Sequence, residues 1–147
     1  MKPVIQSLAI VTALVIATAP ASQAGPAPKP KDVCIANLGT SGSPLNTFVF
    51  RDVKTLVAGG AIPLQGLFFT AARKVAPVHG SAVMAGDGTV RIGLVVHTGA
   101  TSTNDFTVAG VTALDFSGTL NFDSDGDFKP DGTLVIVPTD CATVAIP

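Results

Sequence analysis

The sequence has no tryptophan, no tyrosine and no glutamate, and it has only two cysteines and two histidines among 147 residues. Without glutamate, acid/base catalysis by paired carboxylates would require two aspartates that folding brings together. No Gly-x-Ser-x-Gly nucleophile motif and no phosphate-binding glycine loop occurs. The absence of tryptophan also removes the sequence signatures of lipocalins and of biotin-binding barrels. We therefore predict that the protein is not an enzyme.

Charged residues are also few, at 13% of the chain, and they carry a formal net charge of −1. No basic cluster is present that could follow a phosphate backbone, which argues against nucleic acid as a partner. The apolar run 8–19 is shorter than the roughly 20 residues of a membrane-spanning helix. With Lys2 before it and Ser22-Gln23-Ala24 after it, this run predicts a cleaved secretory signal peptide of residues 1–24. We expect a secreted or periplasmic protein without a membrane span.

After the signal peptide, residues 25–32 form a proline-rich segment that we interpret as an extended tether. Residues 33–147 are long enough for one domain with its own core. Cys34 and Cys141 lie near the two ends of this domain, and an oxidising compartment predicts a disulfide between them. Closing a loop of about 100 residues stabilises a fold by about 4–5 kcal/mol in the chain-entropy model. Chain ends that meet are typical of a closed sheet.

Valine, threonine and glycine are abundant, and this composition favours strands and turns over helices. Runs bounded by glycine, proline, asparagine or aspartate predict eight strands, at residues 33–38, 47–57, 62–73, 75–84, 89–98, 105–113, 114–122 and 133–138. We predict an all-β fold, an antiparallel meander of about eight strands that forms a small barrel. A two-sheet β-sandwich is the alternative.

Two stretches show the alternation of apolar and polar residues most clearly. Residues 112–122 predict a strand with one buried and one wet face. Residues 78–84 and 90–96 have apolar positions of the same parity, so their hairpin needs an odd loop, which Gly86-Asp87-Gly88 supplies. In this register His79 and His97 lie on the wet face as diagonal neighbours. No carboxylate or thiolate is obviously beside them, so we interpret them as exposed histidines rather than metal ligands.

Residues 121–132, NFDSDGDFKPDG, place four aspartates at alternate or near-alternate positions: Asp123, Asp125, Asp127 and Asp131. Carboxylates at this spacing in a tightly curling loop can converge on one calcium ion. The run resembles the calcium loops of thrombospondin type-3 and dockerin-like repeats, D-x-D-x-D-G-x-x-D. It departs from them at Phe128, where those loops have glycine, and at Leu134, where they have the closing acid. We favour a hairpin turn, with a calcium loop as the alternative.

Six phenylalanines are candidates to line an apolar cavity inside the barrel: Phe48, Phe50, Phe68, Phe106, Phe116 and Phe122. An eight-stranded barrel is either filled by side chains or just wide enough for one small ligand. Our leading hypothesis is a secreted or periplasmic non-enzymatic module with a binding or structural role, for which a small apolar ligand is the candidate partner. The alternative is a calcium-stabilised surface or adhesion domain that uses the 121–132 loop. Calcium is the only cofactor that the sequence suggests. The partner is unknown, with a small apolar ligand or a surface partner as the candidates.

Overall fold

Eight antiparallel strands follow one another along the chain and close into a barrel in sequential order. The computed structural model describes residues 29–38, 44–99 and 105–144, and the predicted signal peptide lies outside them. The strands are β1 (Lys31–Leu38), β2 (Pro44–Val53), β3 (Ala61–Thr70), β4 (Val75–Met84), β5 (Val90–Val96), β6 (Phe106–Thr112), β7 (Gly118–Asp123) and β8 (Gly132–Thr139). The predicted barrel is confirmed, and the alternative sandwich is not formed.

The barrel closes where its first strand meets its last. Within β1, Cys34 lies opposite Thr139 of β8, and the pairing continues to Asn37 opposite Ile136. A short 3₁₀ helix, Cys141–Thr143, follows β8. The predicted disulfide joins Cys34 to Cys141, with Cα atoms 5.3 Å apart across 107 sequence positions. A covalent bond therefore supports the one strand pairing that does not join neighbours in the chain.

The predicted tether and the first strand overlap. Lys31 and Asp32 were expected to belong to the tether of residues 25–32, but β1 already begins at Lys31, which lies opposite Val53 of β2. The Asp32 carboxylate also accepts a hydrogen bond from the Arg51 guanidinium on β2, and this contact forms an ion pair. Residues 25–28 of the tether lie outside the described residues.

Apolar side chains fill the barrel interior because alternate residues of a strand point to opposite faces of the sheet. The largest fully buried side chains include Phe48, Phe50, Ile35, Leu64, Leu120 and Ile136. A smaller cluster occupies the outer face of β1–β3 and consists of Cys34, Val49 and Phe69. Cys141 and Val144 pack against this outer cluster. The C-terminal 3₁₀ helix therefore covers apolar residues that would otherwise face water.

Two inward-facing glycines allow neighbouring strands to approach very closely. A Cβ atom at Gly66 of β3 would lie 1.8 Å from the carbonyl oxygen of Val49, and one at Gly80 of β4 would lie 1.9 Å from that of Gly93. Real side chains never make such contacts with backbone atoms. The neighbouring strands thus lie so close together at these positions that only glycine fits.

The β4–β5 hairpin has the predicted register. Met84 lies opposite Val90, and Val78 lies opposite Val96. The Ala85 N–H donates to the Thr89 carbonyl at 2.8 Å, which encloses the three-residue loop 86–88. Gly88 takes the left-handed conformation with φ 83°. The glycine that the sequence offers for this position is therefore used there.

The alternation in residues 112–122 was interpreted wrongly as one strand from 114 to 122. Strand β6 ends at Thr112 and β7 begins at Gly118, and a turn separates them. The Asp115 carboxylate accepts hydrogen bonds from the Ser117 N–H at 2.9 Å and from the Ser117 hydroxyl at 2.6 Å. Phe116 has φ 68° at the centre of this turn. Local side-chain hydrogen bonds favoured a turn over the extended pattern.

Candidate functional site

Aromatic side chains close the middle of the barrel. Phe48 and Phe50 on β2 are both 0% exposed. The Phe48 ring lies 4.9 Å from that of Phe68 and 6.2 Å from that of Phe50, measured between centroids. These contacts place Phe48 and Phe50, two of the predicted lining residues, in the packed core, and neither lines the two end pockets described next. The two pockets with an apolar lining described next lie at the ends of the barrel.

A pocket of about 290 Å³ lies at the end of the barrel where β3 connects to β4 and β7 to β8. We call it the loop-end pocket. It is lined by Asn46, Phe68, Thr70, Phe106, Phe122, Ser124 and Leu134. Phe68 and Phe106 meet edge to face, with centroids 5.5 Å apart and an interplanar angle of 77°. The structure therefore brings three of the six predicted lining phenylalanines together around one apolar cavity.

A second pocket, of about 340 Å³, lies at the opposite end of the barrel. We call it the basic pocket. Its charged lining residues are Lys29, Lys31 and Lys54, and its apolar lining residues are Val33, Val53, Leu56, Leu114 and Phe116. Phe116, the remaining predicted lining residue, belongs to this pocket. It therefore lies at the other end of the barrel from the three phenylalanines of the loop-end pocket. The linings of the two pockets thus differ in charge.

Three of the four predicted calcium ligands converge in the β7–β8 connection. Asp123, Asp125 and Asp131 each offer a carboxylate oxygen within 4.8 Å of the others. Asp127 is not in this group, because its carboxylate accepts a hydrogen bond from the Lys129 N–H at 2.8 Å and lies 3.5 Å from the Lys129 ammonium. The loop therefore presents a three-aspartate cluster beside an aspartate that pairs with lysine.

Hydrogen bonds within the loop already engage much of this cluster. Asp123 accepts from the N–H groups of Gly126 at 2.7 Å and Phe128 at 2.9 Å. Asp131 accepts from the hydroxyl and the N–H of Ser124, and these bonds hold the pKa of Asp131 below its ordinary value. Such bonds are those of a stable turn.

The pKa of Asp125 is shifted in the opposite direction from that of Asp131. The Asp127 N–H lowers the pKa of Asp125, but desolvation and the negative charges of Asp127, Asp131 and Asp123 outweigh this bond. The pKa of Asp125 is therefore raised above its ordinary value. Crowded negative charge of this kind favours a cation.

Phe128 lies at the most exposed part of the same loop. Its side chain is 96% exposed, and its φ of 64° is in the left-handed region. This is the position at which the calcium loops that the sequence resembles have glycine. The backbone thus adopts the conformation that glycine would favour, although the residue is phenylalanine.

The two histidines are neighbours on the outer face, as predicted, and one of them is also hydrogen-bonded to a carboxylate. His97 Nε2 lies 2.8 Å from His79 Nδ1, and His97 Nδ1 lies 2.8 Å from Asp105 Oδ2. Asp105 was not predicted from the sequence as a neighbour of the histidines. The β5–β6 register places Val96 opposite Phe106, so the preceding residue, Asp105, comes opposite His97. If β5 and β6 are paired in the sequence with residue 101 at the midpoint, position 97 comes opposite position 105, and the contact can be predicted.

Comparisons with protein-family models, with curated proteins and with solved structures found no match. Within residues 29–38, 44–99 and 105–144, no helix has the length and apolar character needed to cross a membrane. The fold and the side-chain geometry are therefore the basis for any assignment of function.

Proposed function

We propose that this protein is a secreted or periplasmic, non-enzymatic barrel that binds one small apolar ligand in the loop-end pocket. The Cys34–Cys141 disulfide is compatible with an extracellular or periplasmic protein. The predicted signal peptide of residues 1–24 supports the same location. The protein would act by sequestering or presenting the ligand rather than by transforming it.

The observation that carries this proposal is the convergence of Phe68, Phe106 and Phe122 on one pocket. Leu134 adds a fourth apolar side chain, and Asn46, Thr70 and Ser124 supply polar groups that could orient a ligand. The volume of the loop-end pocket, about 290 Å³, lies just below the range of about 300–1,000 Å³ that is usual for small-molecule sites. The ligand class is therefore a compact apolar molecule, such as one with a single aromatic ring system or a short acyl chain.

Titration with a neutral apolar fluorophore, N-phenyl-1-naphthylamine, tests the proposal. The chain has no tryptophan or tyrosine, so it contributes little emission of its own. We expect saturable enhancement of the probe's fluorescence and roughly tenfold weaker binding by Phe122→Ala, since a buried phenylalanine contact is worth about 1.5 kcal/mol or more. Thermal melts of each variant establish that it is folded.

Leu114→Ala is the matched control, because Leu114 lines the basic pocket at the opposite end of the barrel. We expect this variant to bind the probe as the unaltered protein does. Absence of saturable binding, or equal losses in Phe122→Ala and Leu114→Ala, would contradict binding in the loop-end pocket.

A calcium-stabilised surface or adhesion domain is the second candidate. It is supported by the convergence of Asp123, Asp125 and Asp131 and by the fully exposed ring of Phe128 on the same loop. The cluster would fix the loop, and the ring would contact the partner. Weak calcium binding is typical of extracellular modules, with dissociation constants of about 10⁻⁴–10⁻³ M.

Thermal melts with millimolar calcium and with a chelator separate this candidate from a simple turn. Calcium should raise the melting temperature of the unaltered protein, and Asp125→Asn should abolish the rise. Asp127→Asn removes the same charge from the same loop but lies outside the cluster, so it should preserve the rise. Coincident melts with calcium and with chelator would exclude the calcium-stabilised domain.

A further inference from the structure

A continuous chain of hydrogen-bonded side chains runs across the outer face of the barrel from β4 to β6. Asp105 Oδ2 lies 2.8 Å from His97 Nδ1, and His97 Nε2 lies 2.8 Å from His79 Nδ1. His79 is on β4, His97 follows the last residue of β5, and Asp105 precedes the first residue of β6. The backbone N–H of His97 donates to the Pro77 carbonyl at 2.9 Å, and this bond extends the β4–β5 pairing to His97. The backbone therefore fixes the spacing of the three side chains.

Asp105 determines which nitrogen of His97 carries the proton. An ionised carboxylate can only accept, so His97 Nδ1 is the donor in the bond to Asp105. In the neutral imidazole, Nε2 then has a free lone pair, and this lone pair points towards His79. The Asp105 side chain is 17% exposed, and its Oδ1 is buried without a hydrogen-bond partner among the described residues. Its negative charge is thus only partly compensated.

The two imidazole rings are nearly parallel. Their planes are inclined by only 20°, and their centroids are 4.7 Å apart, whereas the facing nitrogens are 2.8 Å apart. The two nitrogens therefore lie between the ring centres, close enough together for one ion to contact both. Without a metal, the His79 Nδ1–H donates to this His97 Nε2 lone pair. Because His79 is exposed, its ring proton can move to Nε2, in contact with water, when a metal ion replaces the proton between the two rings.

We propose that His79 Nδ1 and His97 Nε2 bind a divalent transition-metal ion such as Zn²⁺, and that Asp105 is the positioning residue that orients His97. Two nitrogens bound to tetrahedral zinc at 2.0–2.1 Å are about 3.3 Å apart. The facing nitrogens, now 2.8 Å apart, need to separate by about half an ångström, which a small rotation of the exposed His79 ring provides. A carboxylate behind a ligating histidine is the usual support of such a site.

The ligand set determines the class of metal. Imidazole nitrogens suit Zn²⁺, Ni²⁺ and Cu²⁺, whereas Ca²⁺ and Mg²⁺ prefer oxygen ligands. Two protein ligands leave the remaining coordination positions to water. The metal is therefore exchangeable, and Cu²⁺ binds more tightly than Zn²⁺ or Ni²⁺.

In the described register, the strand neighbours of His79 carry no charge. His79 lies between Gln65 of β3 and Val95 of β5 in the described register. Thr107 of β6 lies opposite Val95. The nearest charged group in this arrangement is the Asp105 carboxylate itself, which attracts a cation to the site.

Isothermal titration of the untagged, disulfide-bonded, chelator-treated protein with Zn²⁺ and with Cu²⁺ tests the proposal. We expect saturable one-to-one binding, tighter for Cu²⁺. His79→Asn and His97→Asn should each weaken binding at least tenfold, and Asp105→Asn should weaken it by about 10–100-fold, as is typical for loss of a carboxylate behind a ligand. Gln65→Ala alters a neighbour of His79 that offers no ligand, and it should leave the affinity unchanged.

Nitrogen-15 NMR of the unaltered protein gives a readout that does not depend on variants. Zn²⁺ should shift His79 Nδ1 and His97 Nε2 selectively, while His97 Nδ1 remains protonated. Ca²⁺ should shift neither histidine. Equal affinities of the unaltered protein and both histidine variants, or no change at these two nitrogens, would overturn the metal site. Unchanged affinity in Asp105→Asn would overturn the positioning role.

Discussion

Phe128 adopts a backbone conformation that suits asparagine or glycine better than phenylalanine. Its φ is 64°, and its ring is 96% exposed, so the side chain contributes little packing to offset the strain. A left-handed conformation costs a residue with a Cβ about 1–2 kcal/mol, and asparagine tolerates it better than most. We expect Phe128→Asn to stabilise the protein by about 0.5–1 kcal/mol in urea unfolding. Phe128→Ala keeps the Cβ and the strain, and an equal gain in that variant would contradict this explanation.

Hydrogen-bonded aspartates in the turns also make the stability of the protein sensitive to acid. Hydrogen bonds from the Ser117 hydroxyl and N–H hold the pKa of Asp115 below its ordinary value, and those from Thr89 do the same for Asp87. A carboxyl with a lowered pKa in the folded state stabilises it above the unfolded pKa, and this stability is lost as the pH falls. Urea unfolding from pH 6 downwards should show the loss below about pH 5. Ser117→Ala should make the loss shallower, and an unchanged slope would contradict the role of this bond.

At the scale of the strand, close backbone approach makes Gly80 of β4 irreplaceable. A Cβ there would lie 1.9 Å from the Gly93 carbonyl oxygen, so the two strands would have to separate. We expect Gly80→Ala to destabilise the protein by about 3 kcal/mol in urea unfolding. Gly93→Ala is the matched control on β5, because its Cβ would meet nothing within 4 Å. That variant should change stability by less than about 1 kcal/mol. Similar losses in both would contradict the close-approach argument.

The elements that could be predicted from the sequence are those in which the alternation of apolar and polar residues and the residues of the turn indicate the same register. The β4–β5 hairpin combines clear alternation with a glycine at the left-handed position, and its register follows from both. In residues 112–122 the alternation continued through Asp115 and Ser117, whose hydrogen bonds form a turn. The spacing of apolar residues alone does not show that two polar residues between them are hydrogen-bonded to each other and form a turn.

The candidate sites were predicted less completely than the strands, for a geometric reason. Alternation shows which residues point inwards but not how high they lie in the barrel, so Phe116 was grouped with phenylalanines at the other end. Aspartate spacing showed that the carboxylates could converge, but not that Lys129 would pair with Asp127. Asp105 was missed because its position depends on the length of the β5–β6 connection.

For the whole molecule, the disulfide secures the closure of the barrel. Cys34 and Cys141 join β1 to the segment after β8 and hold the 3₁₀ helix over the outer cluster. We expect the Cys34→Ala/Cys141→Ala double variant to be about 2–5 kcal/mol less stable in urea unfolding. A reductant should lower the stability of the unaltered protein to a similar level and leave the double variant unchanged. A double variant as stable as the unaltered protein would show that strand pairing alone closes the barrel.

Closure of the sheet also limits how this protein can be recognised. Each of the eight strands is hydrogen-bonded on both sides, so the described sheet has no free edge to which a partner's strand could be added. Self-association by strand exchange would require the β1–β8 pairing to open against the disulfide. A partner must therefore recognise side chains on the outer face or loops at the barrel ends, and a swapped dimer is expected only under reducing conditions.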